Sequence, residues 1–251
     1  MLQPDYMRKT IYTSVILYLF LLVSCHPVFR SVAVEYTNYN VQQKEKHNSL
    51  MSALIQPYSD SINMSMNDVV GINETLLVKS VKKNTLGFFM TDAYLYMAKQ
   101  KFNTEIDAAF MNQGGIRLNE LAAGKISKGT LFELMPFDNL LLLQKVSGKI
   151  LKQYIDSNAY SGAIVQSGLS MTVRNRKAEN IKVGNKLLDE NADYVIANSD
   201  YIINSSEVLK NIPVQNIGYL QRDAIIEYVL MLTQKGRKIV VENTKRVDYA
   251  D

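Results

Sequence analysis

Two kinds of apolar stretch alternate along the chain from residue 44 onwards. Short continuous runs at Ile106–Met111, Leu140–Val146 and Tyr194–Asn198 are typical of strands that are covered on both faces. Leu169–Val173 alternates between apolar and polar positions, which predicts a half-exposed strand. Longer stretches with apolar residues three and four positions apart lie between these runs and predict helices. We therefore expect a single α+β domain with a mixed sheet over residues 44–251.

The predicted helices have recognisable boundaries. Residues 44–69 keep apolar side chains near helical spacing around Pro57, which predicts one bent helix or two short ones. Asn84 precedes the apolar-rich stretch Leu86–Ala98 and is a candidate N-cap, so a buried helix is expected there. The last two predicted elements are a helix and a short strand, at residues 223–234 and 239–241.

Composition excludes several classes of function. The chain has 251 residues and a formal net charge of +4, with lysine and arginine interspersed along it. Nucleic-acid-binding domains concentrate basic residues in a patch or stripe, so nucleic acid is not expected as a partner. The chain has one cysteine, Cys25, and two histidines, His26 and His47. An internal disulfide is therefore impossible, and a zinc site of cysteine and histidine ligands is not expected.

The first 25 residues have the layout of an export signal. Arg8 and Lys9 precede an apolar run at residues 11–23 that is short for a permanent transmembrane helix. The run ends in Leu-Val-Ser-Cys, which resembles the bacterial lipobox. We expect residues 1–24 to be a lipoprotein signal peptide, Cys25 to be lipidated and residues 25–43 to be a tether. An ordinary signal peptide with an incidental cysteine is the less favoured alternative.

This interpretation predicts a location. The protein would be lipid-anchored in a bacterial cell envelope, facing the periplasm or in the outer membrane. The lipid would attach it to the membrane without a transmembrane span.

A glycine turn stands out in the folded part of the sequence. The predicted strand Ile106–Met111 runs into Asn112-Gln113-Gly114-Gly115-Ile116-Arg117. Paired glycines allow positive φ and let backbone N–H groups approach a ligand closely, and Arg117 adds a planar charge suited to phosphate or a planar base. The hexapeptide by itself favours a plain turn, with Arg117 solvated. Other parts of the chain have to support a binding role.

Further motifs follow in a recognisable order. Pro136-Phe137 stands at the entry to the apolar run Leu140–Val146, and Tyr201 is followed by Asn204-Ser205-Ser206-Glu207. With the glycine turn, this order resembles the C-terminal domain of the bacterial and animal 5′-nucleotidases, over roughly Leu50 to Asp251. The resemblance implies a domain that binds the base and ribose of a nucleotide. In that family a separate N-terminal metallophosphatase domain holds two metals that activate water and polarise the phosphate.

The resemblance assigns substrate-binding roles residue by residue. Asn112, Gly114, Gly115 and Arg117 match the family turn, in which Gln113 replaces a glycine. Phe137 matches one wall of an aromatic sandwich around the base, and Tyr201 stands where the second wall is expected. Asn204 and Glu207 match the ribose-binding segment, although Ser205 and Ser206 replace two glycines and Glu207 replaces an aspartate. Lys82 or Lys83 would supply positive charge where the family has an arginine.

The chain lacks residues for catalysis by the family's chemistry. A dimetal centre needs several histidines. His26 lies before the predicted domain, and His47 lies near its start. We therefore predict no catalytic residue, no metal and no cofactor in this chain, and expect the two divalent metals on a partner metallophosphatase.

Three hypotheses of function remain open. The leading one is a substrate-binding subunit of a split 5′-nucleotidase, which takes part in hydrolysis of nucleoside monophosphates with a separate chain. The second is a stand-alone periplasmic binder of nucleosides or nucleotides. The third is a structural remnant whose pocket has degenerated.

Overall fold

The computed structural model describes residues 8–9, 11–15, 49–81, 83–159, 161–162, 164–242 and 245–250. Residues 8–9 and 11–15 are helical and exposed. Cys25, the tether at residues 25–43 and most of the predicted signal peptide lie outside the described residues. The chain from Ser49 onwards forms one unit, within which all elements below lie. In the described ranges no helix is long and apolar enough to cross a membrane.

Helices and strands are mixed along the described chain. Its α-helices from Ser49 onwards are α1 (Ser49–Met66), α2 (Thr85–Phe102), α3 (Lys128–Leu134), α4 (Gly148–Ala159), α5 (Asp200–Ser205) and α6 (Gln221–Gln234). Its strands are β1 (Val69–Asn73), β2 (Leu77–Val78), β3 (Ala108–Asn112), β4 (Glu120–Leu121), β5 (Gly124–Ser127), β6 (Leu141–Ser147), β7 (Ile164–Ser167), β8 (Leu169–Arg174), β9 (Lys177–Val183), β10 (Lys186–Leu187), β11 (Asp193–Ser199), β12 (Val214–Gln215) and β13 (Val247–Tyr249). The α+β class predicted from the sequence is confirmed.

The central element is a five-stranded sheet with the order β12-β6-β11-β3-β7. β3 and β11 are parallel, whereas β6 is antiparallel to β11 and β7 is antiparallel to β3. A second sheet has the order β10-β9-β8-β13, and β1–β5 and β2–β4 form two-stranded pairs. Both larger sheets contain a parallel and an antiparallel pairing, so the sheet type is mixed as predicted.

The central sheet is covered on both faces, which explains the continuous apolar runs of its strands. Along β3, Ala109 and Met111 belong to one hydrophobic cluster and Ala108 and Phe110 to another. The first cluster contains α2 and α6, and the second contains α4 together with strands of the second sheet. Because successive side chains of a strand point to opposite faces, a five-residue strand contributes to both cores.

The helix α2 begins where the sequence predicts it. Asn84 is its N-cap, and the side-chain Oδ1 of Asn84 accepts a hydrogen bond from Gly87 N at 2.9 Å. A Cβ on Gly87 would lie 2.8 Å from Val165 Cγ1, so glycine permits the close approach of α2 to β7. Leu86, Phe89, Tyr94 and further apolar residues of α2 are buried, as the apolar stretch predicts.

The structure tests two further predictions. The stretch around Pro57 is one continuous helix, α1, and none of its residues is buried. The predicted strand Ile239–Val241 is wrong, because only Ile239 makes an isolated bridge, to Asn73. The last strand is β13 instead, which pairs in parallel with β8.

Three strand ends meet at one edge of the central sheet. β3 ends at Asn112 and its parallel neighbour β11 ends at Ser199. The antiparallel strand β6 begins at Leu141, which pairs with Ser199. The segments after β3, after β11 and before β6 therefore converge, although they are far apart in the sequence.

Candidate functional site

The converging segments enclose a cavity of about 390 Å³. This volume lies in the range of small-molecule sites in proteins. Its lining contains six residues that the sequence singled out and one that it did not: Asn112, Gly114, Gly115, Arg117, Phe137, Asn139 and Tyr201. We call this cavity the cleft.

The glycine turn forms one side of the cleft. Gln113–Gly115 make a single 3₁₀ turn after β3, and the side chain of Asn112 makes no capping hydrogen bond to it. Neither Gly114 nor Gly115 has a positive φ, so the turn does not use the left-handed conformation that glycine allows. A Cβ on Gly115 would lie 3.2 Å from Asn112 Oδ1. A larger residue at position 115 would press against the amide side chain of Asn112, which lies against the turn.

Arg117 reaches from the turn to the aromatic wall. Its backbone N donates to Leu134 O at 3.0 Å, which ties the end of the turn to α3. Its guanidinium carbon lies 4.8 Å from the centroid of the Phe137 ring, a cation–π geometry. Arg117 is exposed and Phe137 is half-buried. A positive charge thus lies beside an aromatic face at the rim of the cleft.

The segment that contains Phe137 is paired with the start of α6. Leu141 N donates to Tyr219 O at 2.7 Å, and Gln221 N donates to Asn139 O at 2.9 Å. This pairing places Asn139 in the lining beside Phe137. Asn139 was not predicted as a site residue, although its place as a polar residue shortly before a buried strand was a visible signal.

Tyr201 lies on the short helix α5, directly after β11. Asp200 Oδ1 accepts hydrogen bonds from Tyr201 N at 2.8 Å and from Leu140 N at 3.2 Å. Asp200 N also donates to Leu140 O at 3.1 Å. The two aromatic segments are therefore joined through Asp200, while the Tyr201 side chain remains 58% exposed.

The predicted ribose-binding residues are placed differently from the other site residues. Asn204 and Glu207 are exposed and do not belong to the lining of the cleft. Glu207 forms an ion pair with Lys210 at 2.6 Å, and its side chain is 84% exposed. A ribose-binding role for these two residues stays a prediction. Of the two lysines proposed as substitutes for an arginine, Lys82 lies outside the described residues.

A second depression, of about 270 Å³, is lined by Arg246 and by the residues around Gly168 and Gly184. Arg246 Nη2 pairs with Asp92 Oδ2 at 2.6 Å and Arg246 Nη1 donates to Gln166 O at 3.2 Å. Because these contacts already engage the guanidinium, this depression is a weaker candidate for a ligand site than the cleft.

In the described part of the chain, no group of three or more histidine, cysteine, aspartate and glutamate side chains could hold a metal ion. This observation does not bear on the two metals that are expected on a partner chain.

Comparison with known proteins identifies the family. The family described as 5′-nucleotidase, C-terminal domain, matches residues 65–212. This match covers more than half of the chain, and the chain belongs to this family. The resemblance drawn from the Asn112 turn, Phe137 and Tyr201 is thereby confirmed.

Individual relatives agree with this assignment. The chain is 27% identical over 164 residues to a 5′-nucleotidase of Vibrio vulnificus (strain CMCP6), a match that covers 61% of this chain and 28% of that protein. It is 25% identical over 192 residues to Protein UshA of Escherichia coli (strain K12), covering 72% of this chain and 34% of that protein.

A solved structure supports the fold. The crystal structure of a 5′-nucleotidase precursor from Thermus thermophilus superposes with a TM-score of 0.67 at 20% identity. The superposition covers 80% of this chain and 43% of that one. The chain thus spans less than half the length of the relatives it matches.

Proposed function

We propose that the cleft binds a nucleoside monophosphate or a nucleoside, and that the chain is the substrate-binding domain of a split 5′-nucleotidase. The observation that supports this proposal most directly is the convergence of Asn112, Arg117, Phe137 and Tyr201 on one cavity of about 390 Å³. These residues come from three separate segments of the chain, and the match to the 5′-nucleotidase C-terminal domain family agrees with the proposal.

The chemistry of the lining suits such a ligand. Phe137 and Tyr201 offer aromatic faces, and stacking of a base on an aromatic ring contributes about 1–3 kcal/mol per base in nucleic-acid systems. Arg117 offers a permanent positive charge for a phosphate, and Asn112 and Asn139 offer amide groups for polar edges of a base or sugar. An aromatic slot with a positive charge at its rim suits a nucleotide, in which a planar base is joined through the sugar to an anionic phosphate.

In this proposal, hydrolysis takes place on a second chain. We propose a metallophosphatase partner that supplies two divalent metals, which activate water and polarise the phosphate. In this arrangement the present chain holds and orients the nucleotide.

Calorimetric titration of the purified chain with AMP and with adenosine tests the binding proposal. Saturable binding of either ligand with one site per chain is the expected result. Absence of binding to both ligands would contradict it and favour a degenerate remnant.

Co-purification and activity measurements test the partner. If a neighbouring reading frame encodes a metallophosphatase with its own signal peptide, the two proteins should co-purify and should release phosphate from AMP only together. Full activity of the metallophosphatase alone would contradict the subunit role. Ligand binding without any such partner would favour the stand-alone binder.

We further propose that Cys25 anchors the chain to a bacterial envelope membrane, with the domain facing the periplasm or at the outer membrane. Lipid labelling of the expressed chain should mark the wild type and not the Cys25→Ser variant. Equal labelling of both would contradict the anchor.

A further inference from the structure

The side chain of Arg222 lies under the segment that contains Phe137. Arg222 is the second residue of α6 and is 8% exposed. Its Nη1 donates to Phe137 O at 3.3 Å, and its Nη2 donates to the carboxylate of Asp138. Its guanidinium carbon lies 4.3 Å from the centroid of the Phe132 ring. One buried arginine therefore contacts the backbone of Phe137, which is an aromatic wall of the cleft, and the side chain of the next residue, Asp138.

The location of Arg222 is unfavourable for α6 itself. The first turn of a helix carries a partial positive charge, so a cation there is repelled by the helix dipole. The N-cap Leu220 provides no side-chain hydrogen bond, and the acidic Asp223 in the same turn offsets only part of this effect. Arg222 Nε is buried and has no hydrogen-bond partner among the described residues. Local helix stability therefore does not explain an arginine at this position.

The contacts of Arg222 differ in how well they are shielded from water. The side chain of Asp138 is 78% exposed and that of Arg222 is 10% exposed. Solvent screens an ion pair with such an exposed partner, so the pair with Asp138 contributes little. The hydrogen bond to Phe137 O and the stacking on Phe132 are made by the buried part of the guanidinium. The contact with Phe132 holds the guanidinium in place, and the hydrogen bond restrains the backbone from which the Phe137 ring projects.

The remaining backbone around Phe137 is fixed on both sides. Pro136 restricts the chain on the N-terminal side of Phe137. On the C-terminal side, Gln221 N donates to Asn139 O at 2.9 Å. The hydrogen bond from Arg222 to Phe137 O supplies the restraint between these two points.

We propose that Arg222 is a positioning residue for base binding, which acts by holding Phe137 in the orientation that stacks on the base. This inference rests on the proposed function of the cleft. Arg222 is absent from the lining of the cleft, so it acts through Phe137 rather than on the ligand.

A double-mutant cycle on the full chain tests this role. Calorimetry with AMP should show about tenfold weaker binding for Arg222→Met than for wild type. In a Phe137→Ala background the same change should weaken binding less than twofold, because no ring remains to be positioned. A purely structural role of Arg222 would weaken binding equally in both backgrounds and would overturn the proposal.

Two further variants support the cycle. Arg222→Lys retains the charge but lacks the planar fork, and about threefold weaker binding is expected. Wild-type affinity of Arg222→Lys would count against the proposal even if Arg222→Met failed to fold. Arg237→Met is the matched control, because Arg237 is 63% exposed in the side chain and faces Glu242 at 4.0 Å.

A measurement without ligand separates this inference from the proposed function. The chain contains eight phenylalanines, and ¹⁹F-labelled phenylalanine gives each a resonance that can be assigned by substitution. We expect Arg222→Met and Arg222→Lys to shift or broaden the Phe137 line, while the line of the core residue Phe110 is unchanged. An unchanged Phe137 line would overturn the positioning role. If the Arg222 variants change the Phe137 line but the wild type binds neither AMP nor adenosine, Arg222 still positions Phe137. That result would refute only the proposed function.

Discussion

The two aromatic walls of the cleft are built in different ways. Phe137 is half-buried, and its backbone carbonyl accepts a hydrogen bond from the buried Arg222. Tyr201 is 58% exposed and lies on a helix of six residues that is attached through Asp200. One wall is therefore preorganised, and the other is held only at its backbone.

This difference predicts how each wall contributes to binding. A preorganised group loses little conformational freedom when a ligand binds, so more of its contact energy appears as affinity. An exposed side chain has to be ordered at that moment, and part of its contact energy is offset. Phe137 should therefore determine affinity, and Tyr201 should adapt to the ligand.

The largest expected effect is that of Phe137→Ala. Removing a stacking face costs about 1–3 kcal/mol, so AMP and adenosine should both bind about five- to 150-fold more weakly. Calorimetry with both ligands measures this, and unchanged affinity would contradict the role of the ring. Tyr58→Ala is the control, because Tyr58 is an exposed aromatic residue on α1, outside the cleft.

A smaller effect is expected for Arg117→Met. The charge lies at an exposed rim, where solvent screens it, so AMP should bind about fivefold more weakly. Adenosine, which has no phosphate, should bind with nearly wild-type affinity. A titration of both ligands at low and high salt checks the charge dependence, and an equal loss for both ligands would contradict a phosphate contact. Arg174→Met, at an exposed arginine of β8, serves as control.

Tyr201→Ala should weaken binding of both ligands about threefold, less than Phe137→Ala, because its exposed ring is ordered only on binding. Tyr201→Phe keeps the aromatic face and should bind as the wild type does. If Tyr201→Ala weakened binding more than Phe137→Ala, the proposed division between a fixed and an adaptable wall would be wrong.

The smallest effect on affinity is expected for Asp200→Ala. It removes hydrogen bonds to Leu140 N and Tyr201 N, so α5 should become less ordered and the free energy of unfolding should fall by about 1 kcal/mol. Affinity for AMP should fall by less than the threefold expected for Tyr201→Ala, because the Tyr201 ring is still present. Thermal unfolding and calorimetry together test this. Asp193→Ala, at the other end of β11 and 58% exposed in the side chain, is the control.

The sequence predicted the central part of the fold because local signals agree there. β3, β6 and β11 are apolar runs, and α2 is preceded by an Asn84 that caps it. The helix α1 shows the limit of such patterns. It has the same length as α2, 18 residues, and a similar supply of apolar side chains, yet none is buried. Periodicity predicts helix formation, whereas burial depends on which elements lie nearby.

The site was predictable as far as local motifs reach. The Asn112 turn, Phe137 and Tyr201 were recognised from short patterns and converge in the structure. Arg222 and Asn139 were not recognised, because their roles come from backbone pairing between the start of α6 and the segment before β6. That pairing joins residues about eighty positions apart, and its only local sign in the sequence is the polar Asn139 shortly before a buried strand.

The parallel pairing of β3 and β11 also affects how the protein acquires function. Asp107 and Val195, at the start of this pairing, are 88 positions apart. We expect such long-range pairings to form late, because a long loop has to close first. The cleft is complete only after this step, because the turn with Asn112 and Arg117 follows β3 whereas Tyr201 follows β11. Nucleotide binding would therefore report on completed folding, and a ligand that binds only the native state would raise the melting temperature of the whole domain.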